Sequence, residues 1–243
     1  MDIHPQPFTT ADILASLREG GHIALQTRTI SVAYAALFAL IGAIIIGLLL
    51  YHGFAPFIIA AAGAFMLIGP VILAGFFGIA RDYEKGQTTG ISSIHAGFTD
   101  ASSVVWVISL VCTLLFMVFI TDAATLYSFM VGRTPVWLTE ITTEIHRIHH
   151  FLLWGSLSGL AIAFMLYCVS VFSVPLLCEH RVTLVQAVMA SVSAVFRNFV
   201  PAMLWGGLLA GIIITSILLL PLLLITLPWL AHASRVLFHK VFP

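Results

Sequence analysis

The segment Glu144-Ile145-His146-Arg147-Ile148-His149-His150 holds the densest set of ligating side chains in the chain. On a helix, His146 and His150 lie one turn apart on the same face. Imidazoles at i and i+4 can share a divalent ion such as zinc or copper. With His149 beside them, the sequence offers a metal site at His146, His149 and His150. Glu140, Glu144, Asp122 and His52 fall on the same side of a membrane in the topology derived below. The opposing interpretation is a wet surface helix whose histidines sit at an interface. Arg147 stands where a zinc peptidase HExxH motif needs a glutamate after its first histidine. No cluster of Cys or Met accompanies the histidines, which argues against a copper(I) carrier. A haem between His52 and one of the three histidines also suits the spacing.

Other chemistry is sparse. The chain has no GxxxxGK[ST] phosphate loop and no GxSxG nucleophile elbow. Asp122 follows an apolar run and is read as lying near the outer membrane boundary, within reach of water. His22, His95 and His180 each fall at a helix junction on the inner side and would form a site only if those junctions converge. Cys112, Cys168 and Cys178 lie in or beside apolar runs; their odd number and unpaired spacing point to packing rather than a disulfide framework. No residue set calls for catalysis, so the expectation is a protein that is not an enzyme and has no resident cofactor beyond the metal just described.

The elements that position these residues follow from composition. Of 243 residues, 60% are hydrophobic and 8% charged, with a mean hydropathy of +1.10. Soluble domains carry about 25% charged residues. So few charges cannot cover a surface in water, and lipid must be the solvent. The net charge of zero and the lack of a basic cluster exclude nucleic acid as a partner. The expected fold class is an all-α polytopic transmembrane helix bundle of six spans, or five, with interfacial amphipathic helices.

Residues 1–28 read as a polar tail and an amphipathic helix on the membrane surface, with Ile13, Leu14, Leu17 and Ala24 on its apolar face and Gly20-Gly21 weakening its middle. Residues 29–240 read as the membrane domain. Its expected spans are Ile30–Tyr51, Ala55–Ala80 with a kink at Pro70, Ser103–Thr121, Phe151–Cys178, Phe199–Leu219 and Leu222–Phe238. Tyr51 to Phe54 is a tight turn. Ile91–Phe98, Pro135–His150 and Thr183–Phe196 read as further surface helices. Between Phe199 and Leu230 no polar turn appears, so Pro221 marks either a hairpin or a break in one tilted helix. Six spans with the N-terminus in the cytoplasm place eight Lys or Arg inside and two outside; five spans give six and four. The positive-inside bias favours six. In that arrangement Arg235 and His232 lie near the inner end of the last span and snorkel to water.

A threefold pattern supports the same count. Each unit begins with a surface helix bearing a small-Ser-aliphatic triplet: Ala15-Ser16-Leu17, Ser92-Ser93-Ile94 and Ala190-Ser191-Val192. Each then has a span, and a second span with a proline (Pro70, Pro175 or Pro228) and a basic exit (Arg81, Arg181 or Arg235).

Three stretches carry a family resemblance: GPVILAGFFGIARDYEKG at Gly69–Gly86, SVPLLCEHRVTLVQAVMASVSAVFRN followed by Trp205, and LPWLAHASRVLFHK near the end. Together they resemble a bacterial family of integral membrane proteins, domain of unknown function 2189, over Asp12 to Lys240. Arg235 and Phe238 stand where the resemblance leads one to expect a tryptophan or tyrosine. Membership implies a bacterial inner-membrane protein with no assigned reaction and no catalytic residues to carry over. The function expected is an accessory or assembly subunit that packs against other membrane protein subunits in the bilayer. A small-solute transporter or channel and a periplasmic metal site are the alternatives. The lack of ionisable groups at the span centres weighs against transport.

Overall fold

In the computed structural model, residues 4–55, 58, 69–100, 104–130, 145–179 and 182–243 are described. Among them the chain is helical, without strands. The elements are α1 (Thr10–Gln26), α2 (Arg28–Tyr51), α3 (Gly69–Glu84), α4 (Ile91–Asp100), α5 (Val104–Met130), α6 (Ile145–Ser170), α7 (Ser173–Glu179), α8 (Leu184–Arg197), α9 (Phe199–Leu218), a 3₁₀ turn (Leu220–Leu222) and α10 (Leu223–Val241). Five described stretches are long and apolar enough to cross a membrane: Arg28–Tyr51, Thr113–Met130, His149–Glu179, Phe199–Leu218 and Leu220–Val241. The expected span Ala55–Ala80 falls largely outside the described residues; α3 is its C-terminal part.

Contacts fix the helix directions. Ser31 pairs with His232 (3.4 Å), and Gly42 faces the Leu220 side chain, so α2 and α10 run antiparallel. The α2 helix ends in a Schellman motif. Gly53 has φ 73°, its amide donates to Leu50 O, and the Phe54 amide donates to Leu49 O. The chain then returns: the Tyr34 ring lies on Gly75 and edge-on to Phe76 at 4.9 Å. The same motif ends α3 at Gly86, φ 67°. The α5 and α6 helices pair antiparallel through Asp122–Ser158 (2.9 Å) and Tyr127–Phe151 (5.3 Å between rings). Thr226 Oγ1 donates to Ser216 Oγ (2.8 Å), ten residues away. In one continuous helix that separation spans about 15 Å, so the chain folds back at Pro221 and Phe199–Val241 is two helices. Gln6 N donates to Val241 O (2.9 Å), and Lys240 approaches Asp12 (4.0 Å). Both chain ends therefore meet at one end of the bundle, the arrangement required by an even number of crossings.

Three boundaries differ from expectation. The α5 helix does not stop at Thr121 but continues to Met130. Ile145–His150 forms the first turns of α6 rather than the end of a separate surface helix; residues 135–144 of that predicted segment lie outside the described residues. The span beginning there also breaks at Val171-Phe172 before α7. Ser191 of α8 repairs that break: its Oγ donates to Cys168 O (2.8 Å) and accepts from Phe172 N (3.2 Å). Pro175 sits in the first turn of α7, where no intrahelical bond needs its missing N–H.

The three surface helices each pack on another helix of the bundle. The α4 helix lies on α3, α8 lies on α7, and α1 closes the ring against α10. Their buried serines are the three triplet residues Ser16, Ser93 and Ser191, each fully buried. Glycine permits the closest approaches. A Cβ on Gly78 would collide with Ser93 O and lie 2.8 Å from Gly97 Cα. One on Gly20 would lie 2.8 Å from Ala233 Cβ and closer still to the Ala233 backbone. Gly20 is therefore the contact point of α1, not its weak centre. The α1 face turned inward is Ile13, Ser16, Gly20 and Ile23, while Leu14 points outward at 72% exposure, contrary to the expected face. Trp229 Nε1 donates to Leu17 O (2.7 Å) and ties α1 to α10. Capping boxes start α1 at Thr9/Asp12 and α8 at Thr183/Gln186.

Two measurements follow. In thermal unfolding of the detergent-solubilised protein, Gly20→Ala lowers stability by about 1–3 kcal/mol because two backbones must separate. Gly47→Ala and Gly207→Ala, with nothing within 4 Å of the added Cβ, are neutral or stabilising by up to about 1 kcal/mol. The Thr9 hydroxyl bonded to the Asp12 carboxylate holds that carboxyl below its usual range. Its folded pKa is depressed, so its stabilisation is present above the unfolded carboxylate pKa of about 3.9 and is lost as pH falls through the folded value. The stability cost of Asp12→Asn at neutral pH therefore shrinks below about pH 4; a cost that persists unchanged there contradicts this origin.

Candidate functional site

The predicted metal ligands sit at the start of α6. His149 and His150 are exposed, their ring centroids 3.9 Å apart. The His146 side chain, Glu140 and Glu144 lie outside the described residues. His52 is exposed just past α2, its ring against Tyr51. Among the described residues no three His, Cys, Asp or Glu side chains gather to hold a metal ion. His22 and His95 are exposed on separate helices, α1 and α4; His180 lies outside the described residues. Cys168 and Cys178 are free thiols buried in the core.

Asp122 is placed deeper than expected. It lies eight residues before the end of α5 (130 − 122), about 12 Å along the helix axis. It is half-buried and accepts a hydrogen bond from Ser158 Oγ (2.9 Å).

Among the described residues, the most strongly built polar site was not anticipated. Arg235 on α10 is 4% exposed. Its Nη1 donates to Glu84 at the end of α3, and its Nε donates to Glu179 at the end of α7. The other Glu179 oxygen meets His239 Nε2 (2.9 Å). Arg235 therefore does not snorkel. It is the bolt between the exits of the first two units and the last helix of the third. Burying a guanidinium costs several kcal/mol unless its donors are matched by anions, and the planar fork suits two carboxylates approaching from different sides.

One turn earlier on α10, His232 is fully buried rather than near water. Its Nε2 pairs with Ser31, Ser31 pairs with Thr27 (2.9 Å), and Thr27 Oγ1 donates to Ile23 O (2.8 Å). The His232 ring stands edge-on to Phe76 at 5.6 Å. His232 Nδ1, Tyr34 Oη and Ser16 Oγ have no partner among the described residues. The chemistry available here is electrostatic and structural. Both Glu179 oxygens are engaged by cationic or donor groups.

The sequence held one signal for the Arg235 site. Within LPWLAHASRVLF no acid lies three or four residues from Arg235 on either side, so a buried Arg there needs a carboxylate from another element.

Sequence comparison places the region in a family. Residues 57–179, 123 of 243, match the family described as predicted integral membrane protein (DUF2189). The match contains the Gly69–Gly86 stretch and ends at Glu179; the third stretch of the resemblance, near the C-terminus, lies beyond it. No curated protein and no solved structure matches the chain.

Arg235→Met leaves the largely buried Glu179 carboxylate without its guanidinium, beside the half-exposed Glu84, and lowers stability by about 3–5 kcal/mol. Replacing the whole cluster with Arg235→Met, Glu84→Gln and Glu179→Met restores most of that loss, since an apolar junction has no charge left unpaired. Thermal unfolding of the two variants checks this; equal loss in both contradicts the clamp.

Proposed function

The chain belongs to the DUF2189 family of predicted integral membrane proteins, and from that membership we propose that it is a non-enzymatic accessory or assembly subunit of a membrane complex. One observation carries this. Only 11% of the α2 span and 12% of the Thr113–Met130 span are buried within the chain, against 61% of Leu220–Val241. Each of these two crossing helices packs inward along one side and leaves much of its apolar surface to neighbours. Large apolar side chains line those faces, including Leu40, Ile44 and Leu48 on α2 and Leu110, Leu114 and Met117 on α5. Since lipid tails are as apolar as leucine, association of such faces with another subunit rests on packing.

Orientation belongs to the same proposal. Every described Arg or Lys side chain (Arg18, Arg28, Arg81, Lys85, Arg197, Arg235 and Lys240) lies at the end where the chain termini meet. The positive-inside rule makes that end cytoplasmic, with the protein in a bacterial inner membrane. Purification in mild detergent followed by native mass spectrometry tests the subunit role. The expected result is a partner at fixed stoichiometry; a clean monomer overturns it.

The Asp122–Ser158 pair favours transport of a small solute as the second reading, because an acid inside a crossing helix is costly and usually functional. In proteoliposomes, solute-driven flux abolished by Asp122→Asn supports that reading.

A further inference from the structure

The three surface helices share an outward feature that the ring of inward contacts does not explain. Two residues before each buried serine is an exposed large apolar side chain: Leu14 before Ser16, Ile91 before Ser93 and Met189 before Ser191, at 72%, 80% and 68% exposure. A step of two residues turns a helix by about 200°, so these side chains point away from the bundle just where the serines point in. An exposed basic or imidazole group recurs beside the row: Arg18 one turn after Leu14, His95 one turn after Ile91, and Arg197 at the end of α8.

The surroundings of α8 identify what covers the row. Val185, Met189 and Phe196 form its exposed face, and its inner face is already filled by Ala187, Ala190, Ser191, Ala194 and Val195. The chain then bends at Asn198 into α9, an apolar helix of crossing length. The exposed Phe199, Val200 and Leu204 of α9 continue the same surface, and the Phe196 and Phe199 rings stack across the bend at 6.4 Å. An apolar face continuous with a lipid-facing helix meets the same medium.

We propose that α1, α4 and α8 form a phospholipid-binding collar, seated in the boundary between headgroups and acyl chains of one leaflet. Leu14, Ile91 and Met189 are its three anchors, and Arg18, His95 and Arg197 lie at headgroup level. A helix with an apolar row and a basic flank lies in the interface plane with its apolar face buried about 5–10 Å into that boundary. The collar is separate from the subunit reading, which concerns the crossing faces of α2 and α5.

The test uses the full chain in phospholipid vesicles. Leu14→Cys, Ile91→Cys and Met189→Cys each carry a nitroxide, with Lys85→Cys as the aqueous control and the unsubstituted chain as background for its native thiols. Collision rates with oxygen, which concentrates among acyl chains, are compared with those of a water-soluble nickel chelate. The collar requires oxygen to exceed nickel at all three anchors and nickel to exceed oxygen at residue 85. Nickel in excess at any anchor means that helix faces water. Low rates for both reagents mean that protein covers it. Either result overturns the proposal.

Discussion

A guanidinium that water cannot reach dictates where two helices end. Arg235 is buried in a chain whose main solvent is lipid, and the two carboxylates that face it offset the cost of burying its charge. Those carboxylates come from chain positions 151 and 56 residues away. For both to arrive, α3 and α7 must terminate at the level of Arg235. Glu84 does so at the last position of α3, just before the Schellman turn at Gly86, and Glu179 does so at the last position of α7. The short α7, separated from α6 at Val171-Phe172, is what brings Glu179 into place. Shifting any one of these ends by a turn, about 5.4 Å, would leave a buried charge uncompensated.

Close packing makes that convergence possible. In lipid, no hydrophobic drive brings helices together, so contact rests on van der Waals fit and hydrogen bonds. Gly78 against Gly97 sets α4 onto α3, and Gly20 against Ala233 sets α1 onto α10. The α8–α7 contact has no such glycine pair; alanines and the two hydrogen bonds of Ser191 serve instead. Because the first surface helix packs on the last exit, the ring closes through the chain termini. The N-terminal segment adds backbone and side-chain bonds there, Gln6 to Val241 and Phe8 to Asn198.

The features visible in the sequence were those encoded locally. Apolar composition sets the helical membrane class. Thr183 and Gln186 announce the start of α8, Pro221 marks a reversal, and the three serine triplets mark the surface helices. The features that stayed hidden depend on distant partners. Nothing beside Arg235 names Glu84 or Glu179. Leu14 and Ile13 are equally apolar, and only the position of Ala233 decides which side of α1 faces inward. The chain at Asp122 looks like a helix end because an acid follows an apolar run; Ser158 on α6 supplies the hydrogen bond that lets the helix continue. The break at Val171-Phe172 carries no glycine or proline at the break itself, and Ser191, 19 residues on, satisfies its freed amide.

The two ends of the molecule are held by different forces, and this divides its rigidity. At the terminal end, ion pairs, capping boxes and glycine contacts join elements from all three units. At the other end, Tyr127 sits between Phe54 and Phe151, with ring separations of 6.2 and 5.3 Å. There the Asp122–Ser158 bond joins only α5 to α6. The α6 helix enters the main core through Leu166 and Cys168 in its last two turns, and Tyr167 adds a bond to Ala202 O. Local stability follows the density of buried contacts, and among the described residues α6 joins the main core at its terminal-end side.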